Sequence, residues 1–489
     1  MFRIPSVSIN DIRPEIVLIL VASIVLLLDA FMPRMRSRAF AWLSLAGIGI
    51  AFYYTTNLWS QSDFPSMSFV NMVVRDNFAV FIDYIILIGT GLVVLYSAGY
   101  LEKEELEHGE YYGLVLFAAV GMMLLTSAAD FITVFLGLET LSISLYVLAG
   151  FARTNPKSQE SALKYFLLSS FATAVMVYGI ALIYGATGRT GILGIASFLR
   201  IHGAPLVQFE NPMFSVGMAL LLGGLAFKVA LVPFHIWVPD VYEGAPTTVT
   251  GLMSFGTKAA AFAALTRIFI SGFGNIRVQW VPLMWGLAVI TMFIGNIIAI
   301  PQTNLKRLLA YSSIGHAGYI LIGLVSGNQL GVSGIAFYLL TYTFMILGAL
   351  GIILYLERRG QYLMLDDYAG LASRYPVLAA LMAVFMLGLA GIPPTAGFLA
   401  KFYIFSAAVQ AGYVGLAVIG ALTSVMAVYY YLRVIVYMYM RPAVGEMAPP
   451  VRSYEAIAAL AITGIATILL GVYPTPVLDL LRNIVLQGT

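Results

Sequence analysis

Long runs of apolar residues, separated by short segments rich in charge, proline or glycine, recur along the whole chain. The runs are continuously apolar and do not alternate with polar residues, so a membrane β-barrel is excluded. With ~20 apolar residues per crossing, the pattern predicts about fourteen transmembrane helices. Their predicted bounds are 14–32, 39–59, 77–100, 111–128, 130–150, 159–185, 213–238, 247–270, 281–300, 307–326, 331–356, 376–408, 412–440 and 454–473. We therefore expect an all-α polytopic membrane protein.

The composition agrees with this fold class and excludes several others. Of the 489 residues, 61% are hydrophobic and 10% are charged, and the mean hydropathy is +0.92. Soluble domains carry ~25% charged residues, so a soluble multidomain protein, a coiled coil and a disordered chain are excluded. The net charge of +3 gives no reason to expect a nucleic-acid partner. Because cysteine is absent, we expect no disulfide, no Cys-ligated iron–sulfur cluster and no covalently attached c-type haem on this chain.

The positively charged residues predict an orientation in the membrane. An even number of helices places both termini on one side. With both termini outside, the inside segments hold 14 Lys and Arg residues and the outside segments hold 8. This excess agrees with the positive-inside rule. The first run is long enough to span and lacks a small-residue cleavage site, so no cleavable signal peptide is expected.

Prolines interrupt two of the predicted helices. Pro233 lies in the seventh run, and Pro393 and Pro394 lie in the twelfth. Each proline removes a backbone hydrogen bond, so both helices should be broken near mid-membrane. The carbonyls of Leu389 and Ala390 are then expected to be free to bind water. The breaks are five spans apart, which is an odd number and therefore suggests two units inserted in opposite directions.

Four of the seven lysines fall inside predicted helices, where a charge is costly. They are Lys164, Lys228, Lys258 and Lys401. A lysine at the bilayer centre costs about 2.5–3.5 kcal/mol on insertion scales, so the three deeper ones indicate a function. The alternative for these three is a buried structural ion pair. Lys164 is closer to the inner end, where its side chain can also extend to the interface.

Glu139 is the one carboxylate at the centre of a predicted helix. A Glu–Lys pair in a low-dielectric interior, with further lysines beyond it, is typical of a proton relay. We expect Lys228 to be the partner of Glu139, with a static salt bridge that fixes helix packing as the alternative. Asp29 and Asp83 lie near helix ends, where capping or packing at the interface is expected.

His316 lies in the middle of the tenth predicted helix. Its position among polar residues favours a proton-carrying role. The alternative is a buried histidine whose hydrogen bonds are all made and which has no role in proton transfer. Ser312, Ser313, Thr341 and Thr343 can hold water between titrating groups or can bond to their own helix carbonyls. No two histidines have the spacing of helical ligands, so no bis-His haem or zinc site is expected.

Nucleotide-binding motifs are absent from the sequence. Neither G-x-G-x-x-G between a strand and a helix nor G-x-x-x-x-G-K-[ST] occurs. We therefore expect no NADH, FMN or ATP site of a recognisable type on this chain. The driving force for ion movement should come from another subunit or from an ion gradient.

Four stretches resemble the antiporter-like membrane subunits of respiratory complex I, the proton-pumping NADH:quinone oxidoreductases. They are 135–146 (FLGLETLSISLY), 227–246 (FKVALVPFHIWVPDVYEGAP), 304–319 (NLKRLLAYSSIGHAGY) and 389–402 (LAGIPPTAGFLAKF). The resemblance covers nearly the whole chain. The first and third stretches, together with the length, are most similar to the subunit N branch of this family.

The resemblance implies a domain organisation and a set of site residues. Helices 1–3 would occupy 1–110, two inverted five-helix repeats would occupy 111–275 and 276–440, and helix 14 would lie in 441–489. Each repeat would contain one broken helix. The family's proton-carrying positions correspond to Glu139, Lys164, Lys228, Lys258, His316 and Lys401.

The resemblance also implies a function, namely proton translocation driven by redox chemistry in other subunits. FMN, iron–sulfur clusters and quinone would belong to those subunits, and this chain would carry no cofactor or metal. Its partners would be the lipid bilayer of the bacterial inner (plasma) membrane and other membrane subunits, especially neighbouring antiporter-like and small ones. The alternative is the large subunit of a multisubunit Na⁺/H⁺ antiporter. A purely structural scaffold would not need the central lysines.

Overall fold

The computed structural model describes most of the chain. The described residues are 8–32, 37–59, 66–205, 212–358, 360–443, 453–482 and 484, with the side chains of 202–205 left out. Outside them lie five arginines of the orientation count, namely Arg3, Arg34, Arg36, Arg359 and Arg452.

The first half of the chain is helical apart from one small antiparallel hairpin. The strands are β1 (Ser66–Ser68) and β2 (Val73–Arg75), with Met67 opposite Val74. The helices are α1 (Arg13–Phe31), α2 (Ser37–Trp59), α3 (Asn77–Lys103), α4 (Glu110–Thr126), α5 (Phe131–Ala149), α6 (Pro156–Thr187), α7 (Ile192–Pro205), α8 (Pro212–Val229) and α9 (Trp237–Gly244). A short 3₁₀ turn, Ile9–Ile12, precedes α1.

The second half continues the bundle. Its helices are α10 (Thr247–Leu252), α11 (Lys258–Thr266), α12 (Arg277–Ala299), α13 (Leu305–Ser326), α14 (Gln329–Leu356), α15 (Leu371–Arg374), α16 (Pro376–Ala390), α17 (Ala396–Gln410), α18 (Val414–Met440), α19 (Tyr454–Val472) and α20 (Thr475–Arg482). Two π-helical segments, Met253–Thr257 and Arg267–Gly272, follow α10 and α11. Short 3₁₀ turns lie at Gly274–Ile276 and Leu365–Tyr368.

Each of the fourteen predicted spans is helical over most of its described length, which confirms the all-α polytopic fold. Eleven helices among the described residues are long and apolar enough to cross a membrane. The fourth predicted span is the 17-residue helix α4, the eighth is α10 and α11 with their π segments, and the twelfth is divided into α16 and α17. The elements that were not predicted are the hairpin, α7, most of α9, α15 and α20.

Both predicted breaks are present. Helix α8 ends at Val229, and the chain passes Pro233 in a turn before α9 begins at Trp237. Helix α16 ends at Ala390, where Gly391 has a φ of +83°, which a residue without a Cβ adopts easily. The inverted relation of two five-helix repeats stays a prediction.

Helices α13 and α14 form the centre of the bundle. In the most apolar stretches of α13 and α14, 94% and 100% of the residues are buried. Helix α14 packs against α3, α13, α16, α17 and α19. Polar residues on α13 are therefore far from both water and lipid. We call the end of the bundle that holds the starts of α6, α13, α16 and α19 the inner end, following the predicted orientation.

Candidate functional site

Lys228 is buried one residue before the end of α8, with 3% of its surface exposed. Its Nζ donates hydrogen bonds to Ser169 Oγ at 3.0 Å and to Tyr165 Oη at 3.3 Å, both from α6. The ring centroids of Tyr165 and Tyr146 lie 5.0 and 5.8 Å from the same nitrogen. Lys228 is thus held by neutral hydroxyls and aromatic faces.

Glu139 and Lys228 are not in direct contact, so the static salt bridge given as the alternative is absent among the described residues. Among the described residues, no ion pair joins them, and Glu139 Oε1 accepts a hydrogen bond from Thr173 Oγ1 at 2.9 Å. Glu139 lines a groove of about 540 Å³ between α5 and α6, together with residues such as Phe135 and Tyr178. The carboxylate faces outward from the bundle, whereas the amine of Lys228 lies inside it. The two groups interact electrostatically without touching.

Lys164 lies apart from the buried residues, near the inner end of α6. Its side chain is 40% exposed and forms ion pairs of 2.7 Å with Glu160 and with Asp240 of α9. This exposure agrees with the alternative given above for Lys164, a side chain that extends to the interface. Lys164 therefore belongs to a charged network at the inner end.

The inner-end network continues through Arg307 at the start of α13. Its guanidinium lies 2.9 Å from Asp240 and 2.9 Å from Glu243, and Lys157 lies 2.8 Å from Glu243. Partial burial opposes ionisation of these two carboxyls. Hydrogen bonds from Lys164 and Arg307 nevertheless lower the pKa of Asp240, and those from Lys157 and Arg307 lower the pKa of Glu243. Both carboxylates are therefore charged at neutral pH.

Lys258 is the first residue of α11, directly after a π-helical segment, and is 1% exposed. Its Nζ donates a hydrogen bond to Ser313 Oγ on α13. The ring of Tyr242 lies 5.9 Å from the same nitrogen. Lys258 makes no ion pair with a carboxylate among the described residues.

Aromatic rings fill the space between Lys228 and Lys258. The ring of Tyr165, which contacts Lys228, stacks on Trp237 at 4.7 Å, and Trp237 meets Tyr242 edge-on at 6.3 Å. The indole Nε1 of Trp237 donates to the carbonyl of Phe227 at 3.1 Å and so satisfies backbone near the first break. The two lysines are thus connected by packed rings, and no hydrogen-bonded chain joins them among the described residues.

His316 lies on α13, and both of its ring nitrogens have hydroxyl partners. Nδ1 is 2.6 Å from Tyr338 Oη on α14, and Nε2 is 3.1 Å from Tyr431 Oη on α18. Tyr431 Oη also forms a hydrogen bond with Ser312 Oγ. Since Ser312 is adjacent to the partner of Lys258, the two groups of contacts meet on one face of α13.

Lys401 lies on α17 beside the second break and is 5% exposed. Its Nζ donates to the carbonyls of Ala390 at 2.8 Å and Leu389 at 3.2 Å, and to Ser424 Oγ at 2.8 Å. The ring of Tyr319 lies 4.9 Å from this nitrogen. The carbonyls that were expected to bind water therefore accept hydrogen bonds from the lysine itself.

Other polar residues of the sequence analysis have structural contacts. Thr341 and Thr343 hydroxyls donate to carbonyls within their own helix, at 3.0 and 2.8 Å, as the alternative for them predicted. Asp29 accepts from the backbone N–H of Gly109 and Glu110 at the start of α4, which confirms its capping role.

Asp83 has a packing role, as expected, but within a buried ionic cluster that was not predicted. Asp83 is 0% exposed and lies 2.7 Å from the guanidinium of Arg75, which also pairs with Glu15. A second buried pair joins Arg267 and Asp76 at 2.6 Å. Both arginines were counted among the outer cations in the orientation count. For Arg75, the neighbouring carboxylates Asp76 and Asp83 could have indicated burial, whereas no carboxylate lies near Arg267 in the sequence.

The sequence analysis also missed the tyrosines that surround the site. Tyr319 follows His316 by three residues and so lies on the same face of α13, which helical spacing could have indicated. Tyr338 and Tyr431 belong to other helices, and no local pattern in the sequence places them at His316.

The fold and the buried lysines define a class of polytopic membrane protein related to ion-translocating subunits. A sequence model of the family described as "NADH:quinone oxidoreductase/Mrp antiporter, TM" matches residues 128–427. A chain of the Mrp complex from Dietzia sp. has a TM-score of 0.83 and 22% identity, covers 97% of each chain and therefore shares the fold.

Two further similarities are closer in sequence. A chain of respiratory complex I from Thermus thermophilus is 33% identical, with a TM-score of 0.81 over 96% of this chain and 100% of that one. The NADH-quinone oxidoreductase subunit N of Trichlorobacter lovleyi is 48% identical over 482 residues, which are 98% of this chain and 97% of that protein. The chain belongs to the NADH-quinone oxidoreductase subunit N family.

Proposed function

We propose that this chain is a proton-translocating membrane subunit of an NADH:quinone oxidoreductase, driven by redox chemistry in other subunits. The observation that carries the proposal is the environment of Lys228, Lys258 and Lys401. Each is buried in the bundle, and each is held by hydroxyls, carbonyls or aromatic rings, with no carboxylate partner in the part of the chain that the structure describes. A static buried cation needs a counter-ion, because an unpaired charge in the interior is strongly unfavourable. An amine with neutral partners can lose its proton and regain it.

The hydroxyl contacts on α13 supply a route between Lys258 and His316. Serine and tyrosine hydroxyls both donate and accept, so Ser313 can exchange a proton with Lys258, and Ser312 and Tyr431 can exchange one with His316. Transfer between the adjacent Ser312 and Ser313 requires water, because no hydrogen bond joins their hydroxyls among the described residues. His316 can hold a proton between its two tyrosine partners. Transfer between Lys228 and Lys258 requires water, because aromatic rings separate the two amines.

Glu139 and Lys164 have different roles in this proposal. Glu139 acts on Lys228 through its charge, so a proton that binds to this carboxylate changes the energy of the protonated amine. Lys164 belongs to the charged network with Asp240, which lies at the proposed cytoplasmic side and collects protons near the surface. The proton carriers of the proposal are therefore Lys228, Lys258, His316 and Lys401.

The proposed location, repeats and partners of the chain follow from its family. We infer that the chain is a multi-pass protein of the bacterial inner membrane with both termini outside. Its repeats would lie at 111–275 and 276–440, flanked by 1–110 and 441–489. No cofactor is assigned to this chain, and its partners are neighbouring membrane subunits of the complex. The large subunit of a Na⁺/H⁺ antiporter is less supported, because the Mrp chain is 22% identical and shares the fold alone.

Replacement of Lys258 by glutamine tests the proposal. The amide keeps the polar contact with Ser313 but cannot carry a proton, so proton translocation and quinone-linked turnover should fall together. The measurement is quinone reductase activity and pH-gradient formation in membrane vesicles, normalised to assembled complex. Arg153→Gln is the control, because Arg153 is 77% exposed and pairs with Glu110, outside the inner-end network. Wild-type rate and stoichiometry in Lys258→Gln would contradict the proposal.

A further inference from the structure

An apolar groove lies at the inner end of the bundle, away from the buried lysines. It has a volume of about 540 Å³ and is formed by the end of α14 and the starts of α16 and α19. Arg374 is the one charged residue among the described residues that line it. The groove therefore combines an apolar channel with a single cation at one end.

The groove lies within the depth of one leaflet of a bilayer. Pro376 and Leu381 on α16 both line it and are five residues apart, which at 1.5 Å per residue corresponds to about 8 Å along the helix. Half of the hydrocarbon core is about 15 Å thick. Tyr355 and Tyr375 line the same end as Arg374, the level at which aromatic residues are enriched at the membrane interface.

The walls of the groove are open on the outer surface of the bundle. Val377 on α16 is 70% exposed and Ile457 on α19 is 45% exposed. Both side chains line the groove, so an elongated apolar molecule can lie between the two helices along their direction. Lipid chains present this shape and are available at this surface.

We propose that this groove binds an anionic phospholipid of the inner leaflet, with an acyl chain between α16 and α19 and its phosphate at Arg374. A guanidinium offers paired N–H donors that match two phosphate oxygens. A basic residue near the inner surface also favours anionic over zwitterionic lipids by about 1 kcal/mol. The assignment to the inner leaflet rests on the orientation proposed above, whereas the preference for an anionic headgroup rests on Arg374. Lipid occupancy is measured separately from proton translocation, so failure of one proposal leaves the other standing.

Photo-crosslinking of the intact complex tests the occupant. The photoreactive amino acid p-benzoylphenylalanine replaces Val377, native membranes are illuminated, and mass spectrometry identifies what is attached. Adducts with phosphatidylglycerol or cardiolipin are expected. Arg374→Gln should lower the anionic share about fivefold, since 1 kcal/mol corresponds to that ratio. Arg441→Gln is the control, because Arg441 pairs with Asp366 and does not line the groove.

A second pair of variants fills the groove without changing any charge. Ala461 and Ala458 are both exposed on α19, and only Ala461 lines the groove. Ala461→Trp should abolish the lipid adduct, and Ala458→Trp should retain it, each normalised to assembled complex. A cross-link to a neighbouring subunit, no lipid adduct, or an equal share of zwitterionic lipid would overturn the proposal. An Arg374→Gln variant with the wild-type lipid pattern would overturn it as well.

Discussion

The hydroxyl of Tyr431 joins Ser312 to His316, and its removal tests the proton route directly. Tyr431→Phe keeps the buried ring and deletes the one oxygen that contacts both Ser312 Oγ and His316 Nε2. A buried group that loses its partner costs about 1–3 kcal/mol. If this cost raises the barrier for proton transfer, the rate falls about 5- to 150-fold. We therefore expect at least a fivefold loss of coupled turnover.

The neighbouring residue on α18 provides a matched control. Tyr430 is 1% exposed, its ring lies 4.4 Å from that of Tyr431, and its hydroxyl donates to Asn296 Oδ1 at 2.9 Å. Tyr430→Phe also loses a buried hydrogen bond, worth about 0.5–1.5 kcal/mol of folding stability. This hydroxyl lies near Tyr431 and Ser312 but does not contact His316, so turnover should remain closer to that of the wild type than in Tyr431→Phe.

The assay measures quinone reductase activity and pH-gradient formation in membrane vesicles at equal amounts of assembled complex. Normalisation to assembled complex separates a transport defect from a loss of stability. Equal activity of the two phenylalanine variants, whether both high or both low, would refute the reasoning. In that case the hydroxyl of Tyr431 has the same packing role as the hydroxyl of Tyr430.

Two further predictions concern the ends of the polar region. The Lys401→Arg variant should assemble but lose nearly as much turnover as Lys401→Ala, because a guanidinium does not release its proton. Pumping at the wild-type rate in Lys401→Arg would show that Lys401 is a fixed charge. Glu139→Gln should lower proton pumping and quinone reduction together, because it removes the charge that acts on Lys228. Glu102→Gln, which alters an exposed carboxylate that pairs with Arg38, should have little effect in the same vesicle assay. Normal values in Glu139→Gln would exclude a role for its charge.

The helices and their breaks could be predicted because their causes are local. Apolar length determines whether a segment can span a bilayer, and each predicted run is helical over most of its described length. Proline removes its own backbone donor, so Pro233 and Pro393 indicate the interruptions without any knowledge of neighbours. Helix α7 was missed because it is a shorter apolar helix in a segment interpreted as a loop.

The lysines of the site could be predicted, but their partners could not. A charge within an apolar run is conspicuous in the sequence, whereas Ser169 and Tyr165 reach Lys228 from another helix. The sequence could not show that Glu139 and Lys228 interact without direct contact, because charge complementarity does not say which face of a helix a residue occupies. Glu139 shares its face of α5 with the exposed Leu136 and Ile143. Since α5 is apolar on all sides, hydrophobic periodicity could not reveal that face.

The two breaks satisfy their free backbone groups in different ways, and this difference distinguishes the two halves of the chain. At the first break, the carbonyl of Phe227 accepts from Trp237, and Lys228 is free to contact hydroxyls. At the second break, the carbonyls of Leu389 and Ala390 accept from Lys401. A cation is favourable at the C-terminal end of α16, where the helix dipole is negative. The charge of Lys401 is therefore coupled to the backbone at its break, and a proton that leaves this amine weakens the contacts that position α17 against α16.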